Sequence, residues 1–197
     1  MTRNEFIGKV AAECISHDIS FKIIQKTSVC NYSGWFDAVR KELVCAYKSP
    51  NGFETLIHEY NHFLQWKNRP KFWEKCDGYN NPFLAWKEGY HNDITKNKLT
   101  RAFNKAIELE RDCEINSIKC IKKYDLDVDL EKYIKEANSY LFSYHFVKKY
   151  RDWPKSSIYT EDFINNMPNK ILPLSNYKKG IDKDGNAIIV RYESLPN

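Results

Sequence analysis

The spacing of apolar positions changes along this chain, and each change marks an expected element. Between Thr2 and His17, Phe6, Ile7, Val10, Cys14 and Ile15 share one side of a 3.6-residue repeat, which predicts an amphipathic helix. Ile19 to Gln25, Val29 to Phe36 and Lys41 to Tyr47 are short β-branched and aromatic runs, which predict three strands. Gly34 and the stretch from Asp37 to Arg40 provide turn residues. A helical repeat returns in Phe53-Glu-Thr-Leu-Ile-His-Glu-Tyr-Asn-His-Phe-Leu-Gln-Trp66, and again from Thr100 to Tyr124 and from Asp129 to Tyr150. The last of these has Asp129 placed to cap it.

Two stretches lack a clear period. Lys67 to Lys98 is rich in Asn, Lys and aromatic residues, and Phe72, Trp73, Tyr79, Phe83, Trp86 and Tyr90 are too many rings for a disordered linker. It reads as a folded insertion with short helices, either a lid beside a site or a second small core. After Trp153-Pro154 the chain becomes Pro- and Asn-rich, and Asp184-Gly185 followed by Ala-Ile-Ile-Val-Arg-Tyr predicts a terminal hairpin. The expected fold class is α+β, with a small mixed or antiparallel sheet packed on two helices and a helix-rich C-terminal half. Residues 1–150 form the expected main domain, carrying the insertion at 67–98, and residues 151–197 form an extension packed on it.

Chemistry enters at His58-Glu59-Tyr60-Asn61-His62. Residues four apart on a helix lie one above the other, so His58 and His62 can reach a single ion, with Glu59 over a water beside it. This is the H-E-x-x-H arrangement of zinc metallopeptidases. The chain has only five His, and this pair sits among Leu56, Ile57, Phe63, Leu64 and Trp66. Two histidines and a glutamate buried without partners would be costly, and a metal removes that cost.

Catalytic zinc sites take three protein ligands and leave a fourth position to water. Phe63 to Pro70 contains no Gly and no third His, so a carboxylate must come from elsewhere. In the helix from Thr100 to Tyr124, one face carries Arg101, Asn104, Lys105, Glu108, Arg111, Asp112 and Lys119. The other carries Phe103, Ala106, Ile107, Glu110, Cys113, Glu114, Ser117 and Ile121. Glu110 is the expected third ligand, and Glu114 the carboxylate that orients a metal-bound histidine. Glu108 with Asp112 is the rival pair, and it requires the helix rolled so that Arg101, Lys105 and Lys119 face inward.

A strand, an H-E-x-x-H helix and a Glu-bearing helix together resemble the minimal gluzincins related to the ImmA/IrrE metallopeptidases. In that family the second helix carries E-x-E-A-N and its first Glu is the ligand. Glu110-Arg111-Asp112-Cys113-Glu114 matches this register, with Glu114 where the family has Asn. The chain is more similar still to small phage-encoded metallopeptidases reading H-E-Y-x-H-F-L-Q-W and later E-L-D-C-E, over about Gly34 to Tyr150. The resemblance implies a zincin-like fold, a Zn²⁺ cofactor, peptide-bond hydrolysis with Glu59 as general base, a protein or peptide substrate and, for a phage protein, a host-cytoplasmic location.

Composition narrows the alternatives. Hydrophobic residues make up 42%, enough for a core, and the net charge of +5 is spread among interspersed acids and bases. That balance argues against a nucleic-acid module. The N-terminal residues show no long apolar run, so neither a signal peptide nor a membrane span is expected. Cys14, Cys30, Cys45, Cys76, Cys113 and Cys120 form no C-x-x-C pair and read as reduced residues of a cytoplasmic protein. Asp125 to Glu131 lacks the Gly and closing Glu of a calcium loop. Tyr90, His91, Tyr140, Tyr144 and His145 are all candidates to stabilise an oxyanion, and the sequence singles out none. The competing function is a non-catalytic zinc protein that sequesters a host or partner protein; the intact Glu59 weighs against it.

Overall fold

In the computed structural model, residues 1–154, 157–182 and 184–195 are described. They make an α+β fold with one small mixed sheet and a majority of helix. The chain forms two compact units, Met1–Glu74 with Cys113–Val128, and Lys75–Asp112 with Asp129–Asn197.

The first unit begins with α1 (Arg3–Ile15). Thr2 accepts from the Glu5 backbone N–H while Glu5 accepts from that of Thr2, a reciprocal cap that starts the helix. Phe6, Val10 and Cys14, four apart, form its buried stripe. Three strands follow, β1 (Ser20–Ile24), β2 (Gly34–Asp37) and β3 (Glu42–Ala46), in the order β1-β3-β2. β1 runs parallel to β3 and β2 antiparallel to it. The central strand β3 buries Leu43, Val44, Cys45 and Ala46 in succession, as a strand covered on both faces does.

β2 is shorter than the expected Val29–Phe36 run. Cys30 and Asn31 both have positive φ and close a tight turn in which Val29 and Tyr32 exchange backbone hydrogen bonds. α2 (Gly52–Asn68) packs on β2 and β3, and α3 (Pro70–Lys75) follows it. The Phe6 ring meets Phe53, Tyr60 and Tyr124 edge-on or tilted, tying α1 to α2 and to the end of the long helix α5 (Lys96–Tyr124).

The second unit contains α4 (Pro82–Lys87), the start of α5, and α6 (Leu130–Tyr150), which Asp129 caps by accepting from the Lys132 N–H. Then come α7 (Glu161–Ile164), α8 (Leu174–Lys179) and α9 (Ile189–Glu193). Phe83, Phe103, Ile107, Leu141, Phe142, Tyr144, Tyr177 and Tyr192 build its core. The expected insertion at 67–98 divides between the units: Trp73 is buried in the first and Phe83 in the second, while Tyr79 and Tyr90 are exposed.

The expected terminal hairpin is replaced by a turn and a helix. Ile181 and Ala187 make a single antiparallel bridge around Gly185, and the chain then coils as α9. Ile188 and Tyr192 are buried while Val190 between them is 60% exposed, a four-residue spacing that a strand cannot produce. The Tyr192 hydroxyl donates to the Ser139 carbonyl and its ring meets Phe163. Among the described residues no helix is long and apolar enough to cross a membrane.

Candidate metal centre

α2 presents His58 and His62 one turn apart. Their ring centroids lie 4.6 Å from each other with the planes at 83°. His62 is buried and His58 nearly so, with its side chain 13% exposed. The helix begins against the chain leaving β3, where Gly52 touches the Tyr47 backbone and the Cys45 thiol donates to the Gly52 carbonyl at 3.1 Å. This close seat fixes the height of both histidines above the sheet.

Each imidazole is anchored through Nδ1. His58 Nδ1 donates to Glu114 Oε1 at 3.0 Å, and His62 Nδ1 donates to Gln65 Oε1 at 2.8 Å. An N–H at Nδ1 fixes the tautomer whose lone pair is on Nε2, the state in which histidine ligates a metal. Glu114 and Gln65 are 4% and 2% exposed, so both bonds are shielded from water.

His58, His62 and Cys113 bring one donor atom each to within 4.8 Å of one another, and this group can hold a metal ion. Cys113 approaches His58 on its Nδ1 edge, with Sγ 3.8 Å from Nδ1, and the thiol donates to the His58 carbonyl at 3.2 Å. Two nitrogen donors and one sulfur donor suit a borderline-soft divalent ion.

Glu59 occupies the side of α2 that faces the sheet. A side chain on Gly34 of β2 would meet the Thr55 methyl and the Val44 carbonyl oxygen at 2.8 Å and the Glu59 methylene at 3.4 Å, so the glycine lets α2, with Glu59 on this side, lie close to the edge strand. Burial and, after it, the Glu59 charge push the Cys45 thiol up to about 12. The Trp73 ring stands 6.1 Å from His62 and 5.7 Å from Phe36, forming an aromatic wall on the histidine side.

The remaining candidates lie in the second unit. Glu110 is buried at 8% exposure, one turn before Glu114 along α5. Tyr140 bonds the Tyr144 hydroxyl at 3.0 Å, and burial followed by the Glu110 charge holds its phenol well above the ordinary range. Glu108 is half-buried and engaged by Lys75 at 2.5 Å and Lys178 at 3.5 Å. Burial alone would raise its carboxyl, but the two lysines outweigh that and hold it below its ordinary value. Tyr90 and His91 are exposed, and the His145 Nε2–H donates to the Tyr177 carbonyl.

Two residues of the centre lie outside the expected set. Gln65 is three residues beyond His62, a spacing at which helical side chains meet, and that was the signal for it. Cys113 is on the face that carries Glu114, but its approach to His58 depends on helix packing that no local pattern reveals. No family model, curated relative or solved structure matches this chain.

Proposed function

We propose that the protein is a zinc-dependent metallopeptidase with a zincin-like first unit. The observation that carries this reading is the anchoring of both H-E-x-x-H histidines through Nδ1, by Glu114 and by Gln65. Such bonds preset Nε2 of each ring for a metal. Zinc, when bound, supplies a Lewis acid and makes an attacking water more acidic.

The other tasks fall to the chain. Glu59, beside His58 and against β2, takes the water's proton and returns it to the leaving amine. β2 pairs with β3 on one side and forms a border of the sheet, the kind of edge along which an extended peptide adds as a further strand. The Trp73 and Phe36 rings exclude water from the neighbourhood of His62.

Elemental analysis and a peptide-library cleavage screen test the reading. The purified protein should carry zinc, His58→Ala and His62→Ala should lose it, and Glu59→Gln should keep it while cleavage stops. Cleavage that survives Glu59→Gln would overturn the mechanism, and a wild type that binds no zinc would overturn the reading itself. The third ligand is tested in the same way. Glu110→Ala should lower zinc if Glu110 is the third ligand, and Cys113→Ser should lower it if the Cys113 thiolate takes that place instead.

A further inference from the structure

The two histidines are held by partners of different charge. His58 is bonded by a carboxylate, Glu114, and His62 by a neutral amide, Gln65. Both partners are more than nine-tenths buried. Burying an amide is costly unless it is hydrogen-bonded, and here its oxygen is directed at the ring nitrogen of a proposed ligand. The Gln65 backbone carbonyl separately accepts the Arg69 N–H, so the side chain is not needed to finish the helix.

We infer that Gln65 is a positioning residue of the metal site, and that its neutrality sets how strongly the bound ion acts on water. This rests on the metallopeptidase reading. An acceptor on Nδ1 raises the basicity of Nε2, and a carboxylate does so more than an amide. A second carboxylate in the shell would hold the ion more tightly but neutralise more of its charge, weakening its effect on a bound water. The pair divides the work: Glu114 secures the ion through His58, while Gln65 fixes the His62 ring and adds no negative charge.

The test compares Gln65→Leu and Gln65→Glu with wild type, using Zn²⁺ competition against a chromophoric chelator at one pH. Visible spectra of the Co²⁺-substituted proteins and the melting temperatures of the metal-stripped proteins accompany it. Gln65→Leu should weaken Zn²⁺ binding by about 10- to 100-fold, the usual effect of losing such a partner. Gln65→Glu should bind Zn²⁺ more tightly than wild type, shift the Co²⁺ spectrum and cleave peptide more slowly at full loading. A role in packing alone would lower the melting temperature of the stripped protein and leave Zn²⁺ affinity unchanged, which would overturn the inference. Should Gln65→Leu not fold, Gln65→Glu decides, because unchanged or weaker Zn²⁺ binding there also overturns it. The underlying reading fails separately, if His58→Ala binds Zn²⁺ as well as wild type does.

Discussion

Glycine-to-alanine substitution should have opposite signs in α1 and α2. Gly8 lies exposed in the interior of α1, and a methyl group there would meet nothing within 4 Å. Alanine should stabilise the protein by about 0.8–1.0 kcal/mol, the difference in helix propensity. For a chain of this size that is a rise of roughly 2–4 °C in melting temperature. At Gly52 the same methyl would lie 2.4 Å from the Tyr47 carbonyl oxygen and 2.7 Å from its carbon. Those atoms are backbone and cannot rotate aside, so the start of α2 must move by several tenths of an ångström. Overpacking of this kind costs about 1–3 kcal/mol, more than the propensity gain can offset. The shift also weakens the Cys45–Gly52 hydrogen bond. His58 is six residues further on, about 9 Å along the axis, so displacement of α2 carries the histidines away from Glu114. Thermal unfolding followed by circular dichroism, with Zn²⁺ titration of each variant, reads both effects. Gly52→Ala melting at or above wild type, or Gly8→Ala melting below it, would refute the reasoning.

Two further predictions concern the second unit. Burial, assisted by Lys148, holds the His145 imidazole below its ordinary 6.5, against the weaker opposing effect of the Tyr177 carbonyl. The unfolded chain therefore takes up the proton first, and the stability due to His145 is complete above pH 6.5 and lost as the pH falls through that value. Urea midpoints at pH 7.5 and 5.5 should differ more in wild type than in His145→Gln, and equal differences would disprove this. Asn138, with no exposed surface, donates to the carbonyls of Ile134, Pro168 and Lys170 and accepts from the Tyr177 hydroxyl. Asn138→Ala removes these bonds and leaves the buried Tyr177 hydroxyl without its acceptor, so urea unfolding should show a loss of about 1–3 kcal/mol; a loss below about 0.5 kcal/mol would contradict it.

The elements legible in advance are those whose pattern runs over many turns. On α5, counting placed Phe103, Ala106, Ile107, Glu110, Cys113, Glu114, Ser117 and Ile121 on one face, and all eight are buried. Over a helix this long, a wrong period would have put lysines and arginines into that stripe. The run from Ala187 to Val190 is too short for that discrimination, because a few apolar residues in a row fit a strand or a helix equally. Its conformation is decided by Ser139 and Phe163, which receive Tyr192 and lie far from it in sequence.

The candidate metal centre divides in the same way. His58, Glu59 and His62 are local to one helix, so their spacing alone places them. Gln65 is equally local but uncharged, and a search for titratable groups passes over an amide whose role is to bond a ring nitrogen. The choice between Glu110 with Glu114 and Glu108 with Asp112 is a choice of roll about the α5 axis. The rival roll would turn Arg101, Lys105 and Lys119 inward; Arg101 and Lys119 are exposed, while Lys105 is half-buried and bonds Asp77. Lys75 and Lys178, 33 and 70 residues from Glu108, both engage its carboxylate, a pairing that no local pattern reveals. A carboxylate paired with two lysines is held in place by them and has little to gain from a metal. Glu114 meets the His58 imidazole N–H instead, a bond that would raise the basicity of the ring's other nitrogen.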